Sequence, residues 1–208
     1  MSNTTDITLH GTAYSGHSHR VELLLRMLDL PFRFAEAPAS VREKQDFLRL
    51  NPFGQIPVLQ DGELVLCDSN AIMVYLVKRY APHSQWLSDD AVEAAQIQRW
   101  LSIAAGEVKY GPGTARMALQ WGMPGDPVAA SGIAQRLLRF MDNYLEGRQY
   151  LATAHATLAD LACYSYIAHA PEGCIPLEPY PQVCAWLARV EALPNFKAMP
   201  KLPVPAAA

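Results

Sequence analysis

The sequence predicts an α/β half followed by an all-helical half. The α/β half spans residues 1–80 in the order β-α-β-α-β-β-α, and the helical half spans residues 90–208. Three observations predict this. Strand-like and helix-like patterns alternate through the first half. A hairpin signal, Asp61-Gly62, sits between two short apolar runs. Past a linker at residues 81–89, which holds Pro82, His83 and Ser84, strand signals vanish and alanine-rich helical periodicity takes over.

Ile7-Thr8-Leu9-His10-Gly11 reads as the first strand and Tyr14 to Ser18 as a loop, with a helix starting near His17 or Ser18. Val21, Leu24, Leu25 and Leu28 form one apolar stripe on that helix, and Pro31 stops it. Phe32 and Phe34 share a face of a second strand. Ser40-Val41-Arg42-Glu43 has capping-box spacing ahead of a helix that buries Phe47 and Leu50. Pro57 opens the third strand, at the position where a strand tolerates proline, and the Asp-Gly turn leads into the fourth. Asp68, Ser69 and Asn70 are N-cap types, and Ala71 to Tyr80 is helical, with Lys78 and Arg79 in the last turn and Pro82 beyond.

In the second half, Asp89 or Asp90 starts a long helix to about Tyr110, with Ile97, Leu101, Ala104, Ala105 and Val108 on one face. Gly111-Pro112-Gly113 breaks or bends it. Thr114 to Trp121 resumes it, and Gly122 to Pro127 ends it. Val128 to Glu146 carries Ile133, Leu137, Met141 and Leu145 inward, and Gly147 stands at C′. Thr157-Leu158-Ala159-Asp160 has capping-box spacing with Asp in place of Glu. The helix after it, to Ala168, is almost entirely apolar or small and so central. Tyr180 to Leu193 is the last helix, with Pro181 in its first turn and Val183, Leu187 and Val190 inward. The tail after Pro200 is short and loose.

Composition excludes several function classes. The 208 residues are half apolar, and 17 Lys and Arg against 20 Asp and Glu leave a net charge of −3. No basic run suggests nucleic acid. The longest apolar run, Ala71 to Val77, is too short to span a membrane. Met1 to His10 lacks the basic and apolar regions of a signal peptide, so the cytoplasm is expected. Cys67, Cys163, Cys174 and Cys184 form neither a C-x-x-C nor a zinc spacing and are expected to be reduced and mostly buried. His17 and His19 have the spacing of a metal pair, but no third ligand is placed beside them, so no metal is expected.

The order of elements matches a thioredoxin-like module. Within it, Asn51-Pro52-Phe53-Gly54-Gln55-Ile56-Pro57-Val58-Leu59, the Asp-Gly hairpin and Asp68-Ser69-Asn70-Ala71-Ile72 resemble the glutathione-binding half of cytosolic glutathione S-transferases. Thr157 to Asp160 matches the buried capping motif of that family's central helix. Arg99-Trp100-Leu101-Ser102 with Gly106-Glu107 is similar to bacterial members. The resemblance covers residues 6–198 and points to a bacterial serine-type enzyme, theta-, zeta- or phi-like.

The resemblance implies that glutathione is the co-substrate and that its thiolate is conjugated to small hydrophobic electrophiles. It implies a cis Ile56-Pro57 bond, with the Ile56 backbone pairing to the cysteinyl part of glutathione, Gln55 reaching the peptide, and Asp68 and Ser69 holding the γ-glutamyl end. Ser15-Gly16-His17-Ser18 matches the S-x-x-S pattern in which the first serine steadies the thiolate. Ser15 takes that role, Ser18 is the runner-up, and a plain N-cap is the simpler reading of Ser18. Gly54 stands where the family has Lys or His, so Arg42 or Lys44 is left as the cation for the glycyl carboxylate, although a solvated helix face suits either. Tyr14, His17, Tyr110, Arg116 and Met117 are the candidates around the electrophile, which is expected between the first loop and the long helix of the second half. Tyr14 also suits a pocket wall or the core. A homodimer is expected.

Two other classes compete. One is a glutathione- or ligand-binding regulatory module without turnover. The other is a serine hydrolase on Ser15, which lacks a G-x-S-x-G elbow. No cysteine lies in residues 14–18, which argues against thiol transfer or disulfide reduction.

Overall fold

The computed structural model describes residues 6–205; the sequence readings for Met1 to Thr5 and for the last three residues of the tail lie outside the described residues. The chain divides into two compact units. One runs to Ser84 and includes Pro194–Met199, and the other comprises Gln85–Leu193 and the stretch from Pro200 onward.

The first unit is built on a four-stranded mixed sheet of order β2-β1-β3-β4. Its strands are β1 (Ile7–Gly11), β2 (Phe32–Glu36), β3 (Val58–Asp61) and β4 (Leu64–Cys67). β1 runs parallel to β2, with Ile7 opposite Phe32, and antiparallel to β3, with His10 opposite Val58. β3 pairs antiparallel with β4, with Val58 opposite Cys67. The hairpin closes with Asp61 opposite Leu64, so its two turn residues are Gly62 and Glu63, one position later than the Asp61-Gly62 reading. Gly62 has φ 58°, the left-handed backbone that a primed hairpin turn demands at its first central position.

Helix α1 (Gly16–Met27) follows β1, and residues 18–25 are buried around its whole circumference. The sequence showed only one apolar stripe there. The helix stops at Met27, and Asp29 turns the chain with φ 52° before Pro31 is reached. Between β2 and β3 lie α2 (Ala39–Arg42) and α3 (Gln45–Leu50) instead of one helix. Pro38 is the N-cap of α2 and bonds through no side chain, so the Ser40–Glu43 capping box does not form. Phe47 is buried with Ala37 and Val58, while Leu50 is only half-buried against them. Helix α4 (Ser69–Tyr80) completes the unit.

Pro194–Met199, assigned from sequence to the helical half, belongs with this unit through bonds to α1 and to the turn after it. Lys197 Nζ donates to Glu22 Oε1 at 2.8 Å, the Lys197 carbonyl lies 2.8 Å from His19 Nε2, and Asn195 Nδ2 donates to Asp29 Oδ1 at 2.8 Å.

The second unit is helical. Asp90 caps α5 (Ala91–Ala105) by accepting from the amides of Val92 and Glu93 at 3.0 Å. The helix ends at Gly106, short of the expected Tyr110; Ala105 faces solvent, and Trp100, absent from the expected inward face, is fully buried. A π-helical turn, Lys109–Gly113, carries Pro112 into α6 (Thr114–Trp121). Such turns absorb a residue that the regular ladder cannot seat. Helix α7 (Pro127–Leu145) is capped by Asp126, and Gly147 takes φ 71° just beyond its end.

Helix α8 (Leu158–Ala168) is buried from Leu158 to Ile167. Its capping box forms: Asp160 Oδ2 accepts from the Thr157 amide at 2.9 Å, and Thr157 Oγ1 accepts from the Ala159 amide at 3.3 Å. Asp160 also accepts from the Leu151 amide at 3.0 Å and from Trp186 Nε1 at 2.9 Å, tying the helix start to α9 (Pro181–Glu191). Burial pushes the Asp160 carboxyl up, and these donors oppose that shift. Cys163 is buried and Cys67 half-buried, but Cys174 and Cys184 are exposed, contrary to expectation. No helix among the described residues is long and apolar enough to cross a membrane.

Candidate active site

One end of the sheet gathers the residues that matter. β1 leaves it at Gly11, β3 enters it after Pro57, and β4 leaves it at Cys67. Antiparallel pairing of β1 with β3 and of β3 with β4 therefore brings the loop 12–15, the Ile56-Pro57 bond and the start of α4 to the same edge.

Ser15 is the N-cap of α1, half-buried, and its Oγ accepts from the Ser18 amide at 3.2 Å. A serine hydroxyl has one proton and two lone pairs. That bond uses a lone pair and leaves the O–H proton unspent, at the positive dipole end of α1. Ser18, the runner-up, is fully buried. A Cβ added to Gly11 would fall 2.5 Å from Ser18 Oγ, so this hydroxyl is pressed into the contact between β1 and α1 and cannot reach a ligand. Only a residue without a side chain fits at position 11.

The Ile56-Pro57 bond is cis, as the resemblance implied. Among the described residues, Ile56 takes part in no backbone hydrogen bond outside the regular elements and lies outside the strands, so its N–H and C=O are available to an extended ligand. The loop before it is braced from within. Asn51 Nδ2 donates to the Gln55 carbonyl at 2.9 Å, and Arg42 Nη1 donates to the Gly54 carbonyl at 3.2 Å. Arg42 thus turns one of its donors to the loop, whereas Lys44 is exposed at the N-cap of α3, and the Gln55 side chain is exposed.

Asp68 caps α4, accepting from the amides of Asn70 and Ala71 at 2.9 and 3.0 Å, with a left-handed φ of 70° that a non-glycine residue adopts only at a cost. It faces the helix start. Ser69, the first residue of α4, is buried, and its Oγ lies 3.4 Å from Arg20 Nη1 and 3.4 Å from His17 Nδ1. Arg20 Nη1 also donates to Asn70 Oδ1 at 3.1 Å. Asn70 was read from sequence only as an N-cap type within the motif, and Arg20 was not singled out, because a charged residue beside an apolar helical stripe reads as surface; Arg20 is instead wholly buried. His17, expected near the electrophile, is drawn to Ser69. Cys67, next to this cluster, has its thiol pushed up by burial and by the Asp68 charge, which keeps it protonated.

The electrophile candidates of the second unit fare unequally. Tyr110 is exposed, with Lys109 Nζ 4.9 Å from its ring centre, and Met117 is half-buried. Arg116 is overturned as a pocket residue. It is buried, and its Nε donates to Glu172 Oε2 at 2.6 Å in a core ion pair. In the first unit, Tyr14 is exposed. Among the described residues, no group of three or more His, Cys, Asp or Glu side chains is placed to hold a metal ion.

The family model of the glutathione S-transferase N-terminal domain matches residues 9–84, and that of the C-terminal domain matches residues 126–194. Glutathione S-transferase 3 of Zea mays is 30% identical, over 96% of this chain and 96% of that protein. The crystal structure of a glutathione S-transferase from Pseudomonas fluorescens superposes with a TM-score of 0.87 at 27% identity, covering 93% of this chain and 98% of its own. A glutathione transferase homolog from Drosophila mojavensis, solved with bound glutathione, superposes with a TM-score of 0.82 at 26% identity, over 91% of this chain and 89% of its own. Matched in both halves and along nearly its full length, the chain belongs to the glutathione S-transferase family and is a glutathione transferase, with glutathione as its co-substrate.

Proposed function

We propose that this glutathione transferase is a serine-type enzyme in which the Ser15 hydroxyl donates to the glutathione sulfur and holds it as a thiolate for attack on small hydrophobic electrophiles. A free thiol has a pKa of about 8.5 and is mostly protonated at neutral pH. A hydroxyl donor and a helix N-terminus both favour the anion, and each unit of lowering corresponds to about 1.4 kcal/mol. The observation that carries the reading is the cap bond from the Ser18 amide to Ser15 Oγ, because it leaves the Ser15 proton free for the ligand.

Glutathione lies along the Ile56 backbone beside Pro57, with Gln55 over the peptide and its γ-glutamyl end at Ser69. Asp68 acts by shaping the start of α4. Lys44 meets the glycyl carboxylate, since Arg42 is held by the Gly54 carbonyl. Tyr14, exposed beside Ser15 in the chain, contacts the electrophile. The glutathione-binding role belongs to residues 1–80 and the helical residues 90–208 complete the enzyme, which works as a cytoplasmic homodimer of the theta-, zeta- or phi-like bacterial kind.

Conjugation of glutathione to a chloronitroarene tests the reading. Ser15→Ala is expected to keep binding to immobilised glutathione and to lose roughly ten- to a hundredfold in kcat, as one to two pKa units would give. Equal rates for the variant and the wild type would remove Ser15 from the chemistry. Light scattering of the eluted protein reads the dimer directly.

A further inference from the structure

Asn51 opens the motif that ends at the Ile56-Pro57 bond, and the sequence reading gave it no role of its own. The structure buries it, while the next two residues, Pro52 and Phe53, are exposed. A buried side-chain amide needs partners, and this one has two. Its Oδ1 accepts from the Phe53 amide at 3.1 Å, and its Nδ2 donates to the Gln55 carbonyl at 2.9 Å. A backbone N–H only donates and a carbonyl only accepts, so these partners fix which end of the amide is oxygen. The Asn51 carbonyl closes the same turn by accepting from the Gly54 amide at 2.9 Å.

The Gln55 carbonyl is one half of a peptide unit whose other half is the Ile56 N–H. That unit is trans; among the described residues the cis bond is the next one, Ile56-Pro57. A trans unit is planar, with its carbonyl and N–H pointing in opposite directions. Holding the Gln55 carbonyl toward Asn51 therefore turns the Ile56 N–H to the opposite side, away from Asn51. One unit back, Arg42 Nη1 holds the Gly54 carbonyl at 3.2 Å, so two consecutive peptide planes ahead of Ile56 are gripped. Two residues on, Val58 starts β3.

We propose that Asn51 is a positioning residue for glutathione, holding the Gln55–Ile56 peptide plane so that the Ile56 N–H faces the ligand; this rests on the glutathione seat proposed above. The same bond strengthens the donor, because a carbonyl that accepts a hydrogen bond polarises the N–H of its own unit. Asn51 acts through Ile56, on the hold over the tripeptide and not on the sulfur, so its loss weakens ground state and transition state alike.

Conjugation to a chloronitroarene separates positioning from chemistry. Asn51→Ala removes both side-chain bonds. Asn51→Asp keeps the shape and the acceptor for the Phe53 amide but has no donor for the Gln55 carbonyl. Both variants are expected to raise KM for glutathione about tenfold, and to leave kcat at saturating glutathione and KM for the arene within about twofold. Thermal melts establish that each is folded; if Asn51→Ala is not, Asn51→Asp decides. The direct readout is the Ile56 amide proton resonance, expected to move downfield when S-methylglutathione binds wild type and to move less in both variants. Unchanged KM for glutathione in both variants overturns the proposal. So does Asn51→Asp alone matching wild type, which would leave only the Phe53 bond at work. A fall in Tm and kcat at constant KM overturns it as well, and makes Asn51 a structural residue only. If S-methylglutathione binds wild type without moving the Ile56 resonance, the backbone seat fails and Asn51 with it; if the resonance moves alike in wild type and variants, only the Asn51 assignment fails.

Discussion

Two arginines are among the most deeply buried side chains in the chain, Arg20 in the first unit and Arg116 in the second. Arg116 donates to Glu172 at 2.6 Å, and that carboxylate also accepts from the Leu202 amide at 3.0 Å and lies 2.5 Å from His169 Nδ1. Gln120 Nε2 bonds the Glu172 carbonyl at 2.8 Å. The bonds are short, the groups dry and the charges opposite. Arg20 instead reaches a hydroxyl and an amide oxygen at 3.4 and 3.1 Å, both on the first two residues of a helix. Two equally buried arginines thus differ in these bonds: a short one to a carboxylate for Arg116, longer ones to a hydroxyl and an amide oxygen for Arg20.

The sharpest way to break that contrast is to remove each partner. Glu172→Ala removes the carboxylate that Arg116 bonds in the core, at a cost of about 3–5 kcal/mol. For a chain of this length that is a fall in Tm on the order of 10 °C. A Tm within about 2 °C of wild type would remove the ion pair from the core's stability. Arg20→Met should act on ligand instead, raising KM for glutathione by roughly tenfold or more, as loss of a bond to a charged group does. Arg20→Lys should recover part of that. If Arg20→Met only lowered Tm and left KM alone, Arg20 would be a structural arginine like Arg116.

Acid should also single out the second cluster. Burial alone would raise the Glu172 carboxyl, but the Leu202 amide, Arg116 and His169 outweigh it and hold it below the usual range. Burial pushes the His169 ring down, and nearby Arg116 and Lys201 add to that against Glu172. In both cases the unfolded chain takes up protons before the folded one does, so stability falls as pH drops, first below about 6.5 for His169 and then below about 4.3 for Glu172. Thermal melts at a series of pH values should show Tm falling from neutral pH to about 5, and His169→Asn should flatten that first part of the slope. The smallest effect is expected of Ser18→Ala. Its hydroxyl is locked against Gly11, so turnover should stay within about twofold of wild type while Ser15→Ala loses far more.

Most of the fold was legible because its signals are local. Caps act within one helical turn, as at Ser15, Asp90 and the Thr157–Asp160 box, and a hairpin needs only a few residues. Where local spacing competed with backbone demands, it misled. Ser40–Glu43 had the spacing of a box, but the helix starts after Pro38, and the α5 pattern ran through Gly106, where the backbone leaves the helix.

The site was legible only along the chain. By itself the sequence determined the order of the elements, the motif around Ile56-Pro57 and the serine at the start of α1. Tertiary structure alone decided that Ser18 and Arg116 are core, that residues 194–199 return to α1, and that His17 and Arg20 converge on Ser69 from about fifty residues away. The physical reason is that a helical period reports which side of a helix is apolar. It does not report what second helix is packed against the polar side, and around α1 that second contact turns charged residues into buried ones.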